Sequence, residues 1–248
     1  MKYLALSISF IMLVFASTIR AQDEPPKKKI SLGFEGGIQL TNVSDQWMIS
    51  KGGTGINMGL FAEYPISDIL RIRLGLNYDQ RAFNLSNQWR LVDDSTGYYG
   101  DSYYAEDIDF KASYTTIPLS LLYVKGTNRF KLYFQFTVYY SLLLEAQLEG
   151  YSEWYISAQD ALHFTNPDWE VPMLETEPVS RDATPDFNSY DLGIHFYMGG
   201  MYALNDQWSV TLSPGITYGM ANVWNNPERT GNWSKLIQIN AGVIYQFK

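Results

Sequence analysis

Trp208-Ser-Val-Thr-Leu-Ser-Pro-Gly-Ile-Thr-Tyr-Gly-Met220 alternates without a break. Trp208, Val210, Leu212, Pro214, Ile216, Tyr218 and Met220 fall on one face. Ser209, Thr211, Ser213, Gly215, Thr217 and Gly219 fall on the other. A period of two is a β-strand, here apolar on one side and small-polar on the other. Aromatic rings stand near both ends of the apolar face, with aliphatic residues between them. Rings settle at the two lipid–water interfaces, so this order describes a strand that crosses a bilayer. From Trp208 to Tyr218 the rise is about 25 Å at ~3.3 Å per residue and ~40° tilt, the height of a barrel's apolar band.

The same parity extends outward in both directions. Ile237 to Phe247 repeats it at the C-terminal end. Towards the N-terminus it recurs in Tyr190 to Leu204, Phe130 to Leu144, Ile117 to Tyr123, Leu70 to Tyr78, Ile56 to Tyr64 and Ile30 to Leu40. That makes eight strands, each expected to run about 10 to 16 residues, longer than the ~5–6 of soluble proteins. Membrane-crossing strands need about 9 to 11. Short connections (Pro65 to Ile69, Lys125 to Asn128, Asn205 to Gln207) alternate with long ones (Val43 to Gly52, Leu85 to Ile108, Gln147 to Phe187, Asn222 to Trp233). The expected fold is all-β: an eight-stranded antiparallel transmembrane β-barrel with short periplasmic turns and long extracellular loops. Apolar-face aromatics form two belts, Tyr64, Tyr123, Phe130, Tyr202, Trp208, Tyr245 and Phe247 at the short-turn end, and Tyr78, Tyr140, Tyr190 and Tyr218 at the other. A soluble eight-stranded barrel would put its apolar residues inside instead. Pro118 and Pro214 each lack a ladder donor, which predicts a bulge at one or both.

Residues 1–21 read as a signal peptide. A 12-residue apolar core, Leu4 to Phe15, follows Met1-Lys2, and small residues lead to cleavage after Ala21. Residues 22–29 form a Pro- and charge-rich periplasmic leader, and the barrel occupies residues 30–248. The formal charge is 18 − 26 = −8, and 16 − 26 = −10 once Lys2 and Arg20 leave with the signal. Such an acidic chain excludes nucleic acid as a partner class. With no Cys and two His, no disulfide, metal site or cofactor is expected.

Gly33-x-x-Gly36-Gly37, Tyr114-Thr-Thr-Ile117-Pro118-Leu119, Asp191-Leu192-Gly193 and the terminal Tyr245-Gln-Phe247-Lys248 together resemble the PorT-type outer-membrane β-barrel family of Bacteroidota. The resemblance spans the mature chain. It implies a barrel in the outer membrane, and its namesake members assist the type IX secretion system.

An eight-stranded barrel holds side chains or one small ligand. Parity places Glu35, Glu63, Arg71, Arg73, Asp79, Arg81, Lys131, Glu145, Asp191 and His195 inside, where opposite charges are expected to satisfy one another. Glu63 and Arg71 form a cross-strand pair over the turn at Ser67. An ion path through these groups is the alternative. An enzyme is another, built on His195 with Asp191, or on His163 near Asp160 and Ser157. Asp191 and His195 share a face but stand ~13 Å apart at ~3.3 Å per residue, and no GxSxG, HExxH or P-loop pattern occurs. The two largest loops carry most of the acids, together with Trp89, Tyr98, Tyr99, Tyr103, Trp154 and Trp169. Exposed aromatics among charges suit a docking surface. The expected role is therefore structural or partner-binding, without catalysis. The partners would be outer-membrane lipids, lipopolysaccharide and another envelope or secretion protein.

Overall fold

The computed structural model describes residues 29–45, 48–93, 98–127, 129–157, 160, 173–226 and 233–247. The expected signal peptide and almost all of the leader lie outside them. Among the described residues nine strands form one antiparallel sheet: β1 (Ser31–Val43), β2 (Ile49–Pro65), β3 (Leu70–Asp93), β4 (Tyr98–Gly126), β5 (Phe130–Ile156), β6 (Met173–Asp182), β7 (Tyr190–Ala203), β8 (Trp208–Gly219) and β9 (Ser234–Gln246). β1 pairs with β9 from Ser31↔Gln246 to Val43↔Ser234, and β4 pairs with β5, so the sheet closes on itself. Eight strands make the wall. The ninth, β6, continues the line of β7 and pairs with β5 beyond the wall.

The outer surface of the wall is apolar as read from the sequence. On β5, Phe130, Leu132, Phe134, Phe136, Val138, Tyr140, Leu142 and Leu144 are all exposed. The inward partners Tyr133, Gln135, Thr137, Tyr139 and Ser141 are buried. No monomer in water leaves a continuous apolar belt of this size uncovered, so the belt's solvent is lipid.

Three strands are longer than expected. β3, β4 and β5 run 24, 29 and 27 residues. The stretch read as a second loop, Leu85 to Ile108, is in large part the paired ends of β3 and β4. The stretch read as a third loop contains the end of β5 and all of β6. These pieces form a β3–β4–β5–β6 extension that stands beyond the aromatic belt by roughly 40 Å of strand at ~3.3 Å per residue. In it the polarity inverts. Phe83, Leu85, Ile108, Phe110, Ala146 and Leu148 turn inward and are buried, while Asn84, Asp109, Lys111, Gln147 and Glu149 turn outward. Two bulges sit at the changeover. One falls between Gly52 and Ile56 on β2, the other at Ser113/Tyr114 against β5. Each shifts the parity of one strand, because an inserted residue moves every later side chain to the opposite face.

No bulge forms at either proline. The β3–β4 register is the same on both sides of Pro118, and the β7–β8 register is the same on both sides of Pro214; each interrupts the ladder with unpaired positions instead. Missing one donor removes a bond without adding a residue, so the register survives.

Between β6 and β7 the chain leaves the wall and turns inward. A short 3₁₀ turn, Thr184–Asp186, places Phe187 in the mouth, 2% exposed and bridged to Trp224. Phe83, Phe110, Phe187 and Trp224 pack with ring centroids 5.0–6.2 Å apart. With Val43, Leu85 and Leu148 they form an apolar cap over the lumen.

Candidate functional site

Two polar clusters fill the lumen beneath the cap. At the tight-turn end Glu63 is held by two guanidinium groups. Arg73 donates from Nε at 3.0 Å and from Nη2 at 2.5 Å to Oε1, and Arg71 donates to Oε2 at 3.0 Å. Arg73 also reaches Glu35 at 3.1 Å and lies 3.8 Å over the Phe61 ring. The expected Glu63–Arg71 pair is present, but the residue directly opposite Glu63 is Arg73. On the facing wall Leu122, Val124, Tyr133, Met201 and Ile244 pack against Phe61 and fill the remaining width.

The second cluster lies under the cap. Arg81 bridges Asp79, at 2.9 Å, and Asp191, at 2.5 Å, with Tyr114 stacked 4.5 Å from its guanidinium carbon. Tyr139 donates to Asp191 at 2.8 Å. Gln39 donates to Asp79 at 2.5 Å and accepts from Gln238 at 2.5 Å; Gln238 in turn accepts from Tyr197. The Tyr197 hydroxyl lies 2.9 Å from His195 Nδ1, and the His195 ring stands edge-on to Tyr139 at 4.3 Å. The chain of bonds thus circles the lumen through β1, β3, β5, β7 and β9. His195 belongs to this belt and not to a cleft with Asp191, whose partners are Arg81 and Tyr139. Between this cluster and the cap a void of about 10 Å³ remains, the size that admits one water.

Glycines make room for the inward rings. A Cβ at Gly33 would fall inside the Phe61 ring, and one at Gly215 would strike Tyr197. A small residue on one strand thus answers to a large one on its neighbour, Gly33 of β1 to Phe61 of β2 and Gly215 of β8 to Tyr197 of β7.

Eight of the ten residues assigned to the interior join these clusters. Lys131 is half-buried at the tight-turn end. Glu145 is not interior: it is exposed on the outer face, because the bulge at Leu144 reverses the parity of β5 there. The sequence reading singled out charges only, and so missed Gln39, Tyr139, Tyr197 and Gln238. All four lie on the inward face by parity, and that was the available signal. It also missed the cap, although Phe83 and Leu85 continue the inward series Asp79, Arg81.

Among the aromatics assigned to docking loops, Trp89, Tyr103 and Trp154 lie on paired strands. Trp89 opposes Tyr104, Tyr104 opposes Trp154, and Trp154 opposes Glu175, giving one row across four strands. Ring centroids are 5.5 Å apart for Trp89–Tyr104 and 4.3 Å for Tyr104–Trp154. Both indoles are 42% exposed. The row continues the inward parity of the cap, so it forms a platform on the inner face of the extension. Burial, and then a hydrogen bond to Glu106, pushes the Tyr104 phenol up to about 12. On the outer face Tyr103 stacks on Tyr155 at 5.3 Å and donates to Glu153 at 2.6 Å. Tyr98 and Tyr99 begin β4, but their side chains lie outside the description, as do Trp169 and His163 altogether. Asp160, fully buried, accepts from the Ser102 backbone N–H at 2.6 Å and from the Ser102 hydroxyl, and so ties the third connection to the start of β4.

A family profile described as "Outer membrane protein beta-barrel domain" matches residues 20–213. The chain belongs to that family. This outer-membrane barrel is similar to several solved structures. Neisserial surface protein A is 13% identical, with 87% of this chain and 97% of that one covered, at a TM-score of 0.41. OprG from Pseudomonas aeruginosa is 15% identical over 89% and 97%, at 0.42. Ail, the attachment invasion locus protein of Yersinia pestis, is 10% identical over 88% and 98%, at 0.40. No curated protein sequence matches the outer-membrane barrel significantly.

Proposed function

We propose that this barrel is a membrane-anchored docking protein, whose β3–β4–β5–β6 extension faces the cell exterior and binds another protein. The observation that carries this reading is the Trp89–Tyr104–Trp154 row, with both indoles exposed, on a sheet standing clear of the bilayer. Paired strands hold the rings in place, so little side-chain freedom is lost on binding. Large aromatics on a rigid support are the groups that dominate protein interfaces. The filled lumen supports an anchor in preference to a conduit, since the cap and two ion-paired clusters occupy its height. Orientation follows the barrel rule of short periplasmic turns and long external connections. The wall would meet lipid, and the base of the extension lipopolysaccharide. The resemblance to PorT-type barrels supports an envelope or secretion component as the partner. The test is purification in mild detergent after cross-linking in cells. A partner should co-purify with the wild type and be lost from the Trp89→Ser/Trp154→Ser variant. Retention by that variant would remove the basis of the reading.

A further inference from the structure

β6 is the open edge of the extension. Among the described residues it pairs with β5 on one side and with nothing on the other. Pro178 lies within it, as prolines in sheets do at edges, and leaves the strand one N–H donor short. An unpaired edge offers a row of backbone donors and acceptors to an incoming strand. Side chains narrow what that strand can be. On the inner face β6 presents Glu175 next to Trp154 and Glu177 next to Ser152, with Glu106 one strand further in. Arg181, the one base on β6, is engaged by Asp186 at 2.7 Å. No other Lys or Arg lies on this inner face among the described residues of the extension. Carboxylates beside exposed aromatic faces attract cations twice, by charge and by the ring quadrupole.

We infer that β6 accepts an extended segment of a partner protein with Lys or Arg at alternate positions, paired antiparallel or parallel along its free edge. This deepens the docking role proposed above and rests on it. Residues i and i+2 of the added strand would stand opposite Glu175 and Glu177, within the ~4.5–5.5 Å of a cross-strand pair. Their long stems would lie towards Trp154 with the charged heads at the carboxylates. A second copy of this chain fits poorly, because antiparallel self-pairing about Thr176 sets Glu175 against Glu177, and like charges directly opposite destabilise a sheet.

The experiment uses the whole protein in detergent micelles with synthetic eight-residue peptides. An alternating Thr-Lys peptide should bind, followed by fluorescence anisotropy of a dye on the peptide. Glu175→Gln/Glu177→Gln should weaken it about tenfold, as two cross-strand pairs would. N-methylation of alternate peptide nitrogens leaves every charge in place and removes the edge donors; it should abolish binding. Equal binding of the N-methylated peptide would show charge attraction alone and overturn strand addition. Binding unchanged by the double Gln variant would overturn the assignment to β6, as would concentration-dependent dimerisation through this edge. If a cellular partner is lost from the Trp89→Ser/Trp154→Ser variant but retained by the double Gln variant, docking stands and strand addition falls. If no partner depends on the Trp pair yet the Thr-Lys peptide binds as expected, the edge stands without the cellular role.

Discussion

Arg73 grips Glu63 through two nitrogens, Nε at 3.0 Å and Nη2 at 2.5 Å, with both side chains almost fully buried between β2 and β3. Glu63 is the counter-charge for Arg71 as well. Removing it takes that carboxylate from Arg71 and leaves Arg73 with Glu35. Glu63→Ala should therefore destabilise the barrel by about 3–5 kcal/mol, the usual cost of breaking a buried pair from one side. Urea unfolding in lipid vesicles, followed by the heat-dependent shift in gel mobility, measures it. An unchanged midpoint would show that the pairing contributes nothing.

Leu212 stands mid-way along the apolar face of β8, 57% exposed. If lipid covers that face, Leu212→Arg should cost about 2–4 kcal/mol, the range for a charge at the bilayer midplane. Leu212→Phe should be close to neutral. A water-facing surface would make the two substitutions equivalent.

Among the described residues, the apolar cap and the Glu63 and Arg81 clusters lie one below another across the lumen. In planar bilayers the protein should show no steady conductance. A Phe187→Gly/Trp224→Gly variant opens the mouth but leaves the Glu63 and Arg81 clusters in place, so it should stay closed too. Steady current through the wild type would mean that the lumen opens.

The phenol of Tyr104 is held up to about 12, against an ordinary value of 10, by burial and then by Glu106. A group whose folded value is raised contributes stability in full below the unfolded value and loses it as pH climbs through the folded one. The extension should therefore loosen between pH 10 and about 12, before the barrel does. Limited proteolysis across that range reports it, and Tyr104→Phe should remove the step while keeping the ring stack.

Asp160 joins the third connection to β4 through Ser102. Asp160→Ala leaves the Ser102 N–H and hydroxyl without their acceptor, a local cost of about 1–3 kcal/mol. Faster protease cutting near Ser157, with an unchanged barrel, is the expected result.

The wall could be read from the sequence because lipid and lumen impose opposite chemistry on alternate residues, and Trp208 to Met220 records both. The Glu63–Arg71 pair was legible for the same reason, since a tight turn fixes the register. Glu145 was misplaced because parity carries no mark of an inserted residue: Leu143, Leu144 and Glu145 read equally well with or without a bulge. The extension went unread because its strands keep the period of two but exchange its sense. Phe83 and Leu85 face in where Arg73 and Asp79 did, and Asn84 faces out where Leu76 did. Loss of the outward apolar signal at Gln80 therefore looked like the end of a strand, when it was a change of solvent. The cap as a whole was not legible, since it joins Phe83 on β3 and Phe110 on β4 to Phe187 and Trp224 from two separate connections.

That exchange of solvent gives the molecule a waterline. Just past the bulge at Leu144, the outward side of β5 carries Glu145, Gln147 and Glu149. Sinking the barrel by one turn of the alternation would drag these groups into hydrocarbon, and raising it would bare Leu142 and Leu144 to water. Both shifts cost free energy, so immersion depth is set by the chain and the bilayer must thin or thicken to meet it. The aromatic row then rides at a constant stand-off from the lipid surface, whatever the thickness of the membrane around it.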